Sequence, residues 1–158
     1  MSEESASGGS VRQACLAAVP EVLETMFFEV LADVPGDGTL PEFSALDTSR
    51  VDFEGSARGH VVVAALAVQT ASFAETFLAL EDQDDRVANA GLVLGELANM
   101  VCGNVLGRFR PDGIFRLSTP VTQLGRPAAE LDEPGFIWLR FPLENGPLFV
   151  GLTLEVGG

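Results

Sequence analysis

Glu96 and Asn99 are the two side chains of this sequence whose types and spacing best suit joint chemistry. They stand three residues apart in the run Gly95-Glu96-Leu97-Ala98-Asn99-Met100-Val101-Cys102-Gly103-Asn104. At about 100° per residue, Val87, Ala90, Leu94, Leu97, Val101 and Val105 gather on one side of a helix. Glu96, Asn99 and Gly103 stack on the opposite side at i, i+3 and i+7. Asn89 and Gly107 extend that face. A carboxylate and a carboxamide therefore project in parallel. The carboxylate can pair with an ammonium group, and the carboxamide can hold a water while orienting its lone pair. Neither is a nucleophile here. Together they suit insertion into another protein's active site, with the partner supplying the electrophile. Helix-interior glycines cost about 1 kcal/mol each against alanine. Two of them beside this pair suggest close approach by another backbone. Spacing alone also allows a solvated glutamate and an asparagine that caps or bridges helices.

The rest of the composition narrows the chemistry. The 158 residues form one domain by length. The net charge is −14, and all nine basic residues are Arg. Such a chain repels nucleic acid and anionic membrane surfaces and favours a partner with positive charge at the contact. Without lysine, Schiff-base chemistry and a lysine phosphate anchor are excluded. His60, the single His, lies in an apolar strand pattern, and no GxSxG accompanies it. Cys15 and Cys102 sit in apolar helical stretches, far apart and without a zinc motif, as expected for free buried thiols in a reducing cytoplasm. Residues 1–9 read as a disordered acidic tail, not a signal peptide. Residues 10–158 read as the single folded domain. Val87 to Gly107 could be mistaken for a membrane span. Glu96 near a bilayer centre would cost on the order of 3 kcal/mol, and three asparagines add to that. A buried helix in a soluble domain fits better.

The elements that must position the pair follow from periodicity and punctuation. A first helix spans about Ser10 to Asp33, with Ser10 as N-cap and Val11, Cys15, Val19, Val22, Met26 and Val30 as its apolar stripe. Pro20 predicts a kink or a break. A loop runs to Ser49. Arg50–Ser56 and Gly59–Leu66 form a hairpin. A short helix starts at Thr70 or Ser72 and reaches Leu80, and an acidic connector leads into the long helix, about Asp85 to Phe109. Ile114–Leu124 is extended, with Pro120 at an edge or bend. Phe136–Leu143 and Leu148–Val156 form a second hairpin. The class is α+β: a mostly antiparallel sheet of paired hairpins with helices on one face. Helix followed by hairpin occurs in both halves, a faint internal duplication.

The decapeptide Gly-Glu-Leu-Ala-Asn-Met-Val-Cys-Gly-Asn resembles the signature helix of the CheC/CheX/FliY chemotaxis phosphatases, most of all the CheX type. Glu21 to Met26 resembles the family's first helix. Phe53-Glu54-Gly55 with Gly59 to Val63 resembles its first hairpin, and Thr70 to Ala79 its short helix. The resemblance implies dephosphorylation of the phospho-aspartate of a CheY-type response regulator. Glu96 would bond the regulator's active-site lysine, and Asn99 would position the attacking water. Leu92, Met100 and Gly103 would touch the partner. No cofactor is implied on this chain, and Mg²⁺ is implied on the regulator. The resemblance also implies a cytoplasmic homodimer, whose sheet edges need cover. The first helix offers only Glu21 and Glu24 at the comparable spacing, so one site per chain is expected. One departure stands out. The family pattern has Asp or Ser four residues before the Glu, and here that residue is Leu92. Leu92 favours two other readings, a receiver-binding module without catalysis or one with a different regulator; a dimeric scaffold is a third.

Overall fold

The computed structural model describes residues 3–42, 44–80 and 82–156. Its order is α1 (Glu3–Phe27), β1 (Gly36–Asp37), β2 (Ala45–Gly55), β3 (Ala57–Ala65), α2 (Ala67–Leu78), α3 (Gln83–Phe109), β4 (Phe115–Leu117), β5 (Val121–Pro127), β6 (Ile137–Phe141) and β7 (Leu148–Val156). A single 3-10 turn, Ala128–Glu130, follows β5. One sheet runs β1-β6-β7-β3-β2-β4, with β5 also on β2, and every pairing is antiparallel.

Strand alternation divides the sheet between two cores. Val61 and Val63 of β3, Val51 and Phe53 of β2, and Val150 and Leu152 of β7 face the helices. Against them pack Cys15, Val19 and Leu23 of α1, Phe73 of α2, and Leu94, Leu97, Val101 and Val105 of α3. The opposite face carries a smaller cluster. There Val62, Ala64, Trp138 and Phe149 are covered by Ala128, Leu131 and Phe136. The class expected from the sequence, α+β with helices on one face, is the one found.

The faint duplication is plain in the topology. β3 and β7 lie side by side at the centre, registered from Ala57↔Val156 to Ala65↔Leu148. β2 flanks β3 as β6 flanks β7. Each half also lends its edge strand to the other: β1 lies on β6, and β4 and β5 lie on β2. α1 leads into the first half as α3 leads into the second. α2 has no counterpart.

Several boundaries differ from the sequence expectation. α1 begins at Glu3, so Ser10 lies inside the helix and is not its N-cap. The stretch expected to be tail is helical from Glu3 onward; Met1 and Ser2 lie outside the described residues. Once the packed part of α1 is formed, each further residue adds a hydrogen bond without a new nucleation step. The helix runs through Pro20. It ends at Phe27, six residues before Asp33, because Phe27 is anchored between two rings. It meets Phe73 edge-on at 5.2 Å and stacks on Phe77 at 5.1 Å. Phe28 then turns left-handed, and the N–H of Glu29 donates back to Leu23. Val30, expected on the buried stripe, is consequently exposed, and Met26, still within α1, is exposed as well. β2 begins five residues earlier than expected because β5 pairs with it from Ala45.

α3 has clear end signals. Asp82 is its N-cap and accepts from the N–H of Asp84 at 2.8 Å, with Asp84 and Asp85 in the first turn and Arg108 in the last. This order of charge complements the helix dipole. Ala88–Phe109 is long and apolar enough to cross a membrane, yet 56% of its most apolar window is buried inside the fold. Its apolar side is satisfied by the sheet, α1 and α2. Cys15 and Cys102 are buried, and burial pushes both thiols up to about 12. They remain neutral and weakly reactive.

Candidate functional site on helix α3

α3 presents Glu96 and Asn99 to solvent, while Leu97, Ala98, Val101 and Cys102 beneath them are buried. The face expected from the sequence is therefore the outer face. Leu92, Glu96, Asn99, Gly103 and Gly107 are all exposed. By helical geometry they fall within about 80° of arc. The site protrudes. Its residues lie on the exposed face of the helix, which suits a helix that enters another molecule.

Hydrogen bonding separates Asn99 from the other asparagines of α3. Asn89 Nδ2 donates to the carbonyl of Asp85 at 2.8 Å, and Asn104 Nδ2 to that of Met100 at 3.3 Å. Both are bound to their own helix one turn back, a structural use of the residue. Among the described residues, neither Glu96 nor Asn99 has a side-chain hydrogen bond or ion pair. Capping or bridging therefore accounts for Asn89 and Asn104 and leaves Asn99 without an internal role.

The glycines of α3 also divide into two kinds. A Cβ on Gly95 would meet Pro120 Cβ at 3.4 Å and Thr122 Oγ1 at 3.5 Å, and one on Gly91 would meet Thr122 Cγ2 at 3.5 Å. These two glycines seat the start of β5 against the helix. Thr122 is held there by Ser49, hydroxyl to hydroxyl at 2.9 Å. Gly103 and Gly107, in contrast, have nothing within 4 Å. No internal packing uses their missing side chains, so the bare stretch of helix is open to a partner. Sequence spacing alone cannot say which of these helical glycines the chain itself packs against. The flank formed by Pro120 and Thr122 carries no sequence signal, since it depends on the pairing of β5 with β2.

The remaining expected contact residues are placed as follows. Leu92 is 63% exposed one turn before Glu96. Met100 is half-buried and packs on the main core, so it borders the face more than it forms it. Glu21 and Glu24 of α1 are exposed. Glu21 is bound by Arg108 of α3 across the helix pair. The carboxylate that corresponds to Glu96 in the first half is thus engaged internally.

Gly103 gives a direct check. Gly103→Ala is expected to stabilise the free chain by about 0.5–1 kcal/mol, since the position is helical, open and unstrained. The same added methyl is expected to weaken docking of a partner. Thermal melts and a binding titration on one preparation read both signs. A lowered melting temperature would show that the position is packed from inside.

Two other features do not join this site. His60, expected to be structural, lies within hydrogen-bond distance of Asp52 through Nδ1 and Oδ1 at 2.7 Å, beside Arg50. Burial pushes the Asp52 pKa up, but hydrogen bonds from Arg50 and His60 outweigh it and hold the carboxyl below its usual range. This group lies on the sheet face away from α3. It borders a groove of about 590 Å³ lined by Arg58, Glu133 and Glu155 among others. Among the described residues, no group of three or more His, Cys, Asp or Glu is placed to hold a metal ion.

The two-halved antiparallel sheet with its helices on one face places the chain in the α+β class. Within that class the chain belongs to the family described as Chemotaxis phosphatase CheX, which matches residues 48–137 and so includes the site helix. Solved structures agree at the level of fold. The chain is similar to the chemotaxis protein CheX from Vibrio vulnificus, with 19% identity, a TM-score of 0.73, and coverage of 92% of this chain and 99% of that one. It is similar to a chain of the CheX-CheY-BeF3-Mg complex from Borrelia burgdorferi, with 17% identity, a TM-score of 0.74, and coverage of 92% of this chain and 97% of that one. It also resembles Thermotoga maritima FliY, with 10% identity, a TM-score of 0.61, and coverage of 96% and 90%. No curated protein matches the chain.

Proposed function

We propose that this chain hydrolyses the aspartyl phosphate of a CheY-type response regulator by inserting Glu96 and Asn99 into the regulator's active site. Glu96 pairs with the regulator's lysine and fixes the register of docking. Asn99 holds a water in line with the acyl phosphate. The water oxygen attacks phosphorus, the bond from phosphorus to the acyl oxygen breaks, and inorganic phosphate and the free aspartate leave. The regulator supplies Mg²⁺ and its own acid cluster. The chain adds position and charge, which is most of what phosphoryl transfer requires.

The observation that carries this reading is the freedom of the pair. Both side chains are exposed and lack any internal partner among the described residues, on a helix whose other two asparagines are bonded to their own backbone. Membership in the CheX family supports the reaction class, and the CheX-CheY-BeF3-Mg complex from Borrelia burgdorferi supports the choice of partner. The net charge of −14 suits a lysine-bearing target and disfavours nucleic acid or an anionic membrane.

A receiver domain phosphorylated with acetyl phosphate tests it. Added chain is expected to speed loss of phosphate at least tenfold. Tight binding without acceleration would support the second reading, a receiver-binding module without catalysis, which the exposed Leu92 favours. A cytoplasmic homodimer completes the proposal. Two buried free thiols suit a reducing compartment. The outer strands of the sheet, two-residue β1 at one end and β4 and β5 at the other, leave backbone groups that a second copy can pair with. Sedimentation at micromolar concentration is expected to show a dimer, and a lone 16.7 kDa species would remove this part.

A further inference from the structure

Leu92 is the bulky apolar residue on the outward stripe of α3. It is 63% exposed and lies one turn before Glu96, about 6 Å along the helix axis. A single exposed leucine is ordinary on a protein surface. This one is distinguished by its place. A pocket deep enough to receive both Glu96 and Asn99 must cover the adjoining turn, and Leu92 with it.

On its near side Leu92 is flanked by β5: a Cβ on Gly91 or Gly95 would meet Thr122 or Pro120 at 3.4–3.5 Å, and Ser49 hydrogen-bonds to Thr122. Beyond Asn99 the stripe falls away to open backbone at Gly103 and Gly107. The docking face therefore has a raised apolar end, a polar centre and a recessed end. A charged side chain pressed over Leu92 would lose water and gain no partner. An apolar one would gain by burial. The chain's overall negative charge attracts basic surfaces of many kinds, so it steers encounter more than it discriminates.

We infer that Leu92 is a specificity-determining residue: the regulator served by this chain carries an apolar side chain at the rim of its phosphorylation pocket, and receivers with a charged residue there are rejected. The inference rests on the receiver-docking reading of Glu96 and Asn99.

The test uses a CheY-type receiver with an apolar rim residue and the same receiver with that residue changed to Asp, both phosphorylated with acetyl phosphate. kcat and KM are measured for the unaltered chain and for Leu92→Ser, Leu92→Met and Val121→Ser. Val121 is equally exposed, at 63%, but lies beside Arg50 and Val62 on the sheet face away from α3. The unaltered chain is expected to prefer the apolar rim at least tenfold in kcat/KM, with the difference carried by KM. Leu92→Ser is expected to reduce that preference to within twofold. Leu92→Met is expected to keep it, and Val121→Ser to match the unaltered chain. A preference that survives Leu92→Ser overturns the inference and leaves the receiver reading standing. Equal loss in Val121→Ser overturns it too, because any surface apolar group would then do. If the unaltered chain neither binds nor dephosphorylates either receiver, the receiver reading falls and takes the inference with it.

Discussion

Asn99→Ala is expected to slow dephosphorylation of the regulator by about 10²–10³-fold, the usual loss when one preorganised hydrogen-bonding group is removed from a reacting centre. The regulator's affinity is expected to change by less than about threefold. The two effects should part because, in the proposed mechanism, the carboxamide acts on the water as it attacks and contributes little to the docked ground state. Stability is expected to be unchanged within about 0.5 kcal/mol, as for surface substitutions away from structural features. Asn99 is exposed and has no internal bond among the described residues. Asn89→Ala and Asn104→Ala serve as comparisons, since each removes a side chain already bonded to its own helix. Single-turnover decay of the phosphorylated receiver, measured with saturating chain, reads the chemical step alone. Decay as fast with Asn99→Ala as with the unaltered chain would mean that another group holds the water.

Helical periodicity alone carried the face of α3 correctly. Glu96 and Asn99 are outside and Leu97 and Val101 inside because a 3.6-residue repeat leaves no other arrangement once one side is apolar. The paired hairpins were legible for a similar reason, since β-branched runs such as Val61-Val62-Val63 sit between turn residues. What could not be read was long-range. β5 pairs with β2 across more than seventy residues, and that pairing starts β2 at Ala45 and brings Thr122 to Gly91 and Gly95. Gly91 and Gly103 look alike in sequence, yet one is packed by its own chain and the other is open. The early end of α1 has the same origin. Val30 continues the apolar spacing, but Phe27 locked against Phe73 and Phe77 turns the chain before Val30 can be helical. Tertiary contact overrode a local pattern at both places.

The same distinction bears on the number of sites. Duplication of helix and hairpin would allow a second pair on α1, and Glu21 and Glu24 occupy the comparable positions. Arg108 takes the Glu21 carboxylate, and Glu24 lacks the donor that a carboxamide supplies. A carboxylate already paired with a guanidinium is poorly placed to meet a partner's ammonium group. The halves share a backbone plan and diverge in the side chains that would do the work.

Glu96→Ala is expected to show the opposite pattern from Asn99→Ala. Affinity for the phosphorylated receiver should fall on the order of a hundredfold, and activity at low chain concentration should fall with it. Glu96 is exposed in the free chain, and in the proposed complex it becomes desolvated. Its removal leaves the regulator's lysine buried opposite a methyl group, and an unpaired charge in an interface typically costs about 2–5 kcal/mol. Glu96→Gln separates charge from shape, because it keeps the side-chain length and one acceptor. It is expected to bind between the two. Salt gives a further reading. The unaltered complex should weaken as ionic strength rises, since partly exposed charge pairs are screened at the rim of the contact. Removing Glu96 should flatten that dependence without abolishing it, because the remaining acidic surface still attracts the regulator at long range. Binding constants for the three forms at low and high salt decide the matter. If Glu96→Ala binds as tightly as the unaltered chain and responds to salt in the same way, Glu96 does not meet a cation, and the docking register built on it is wrong.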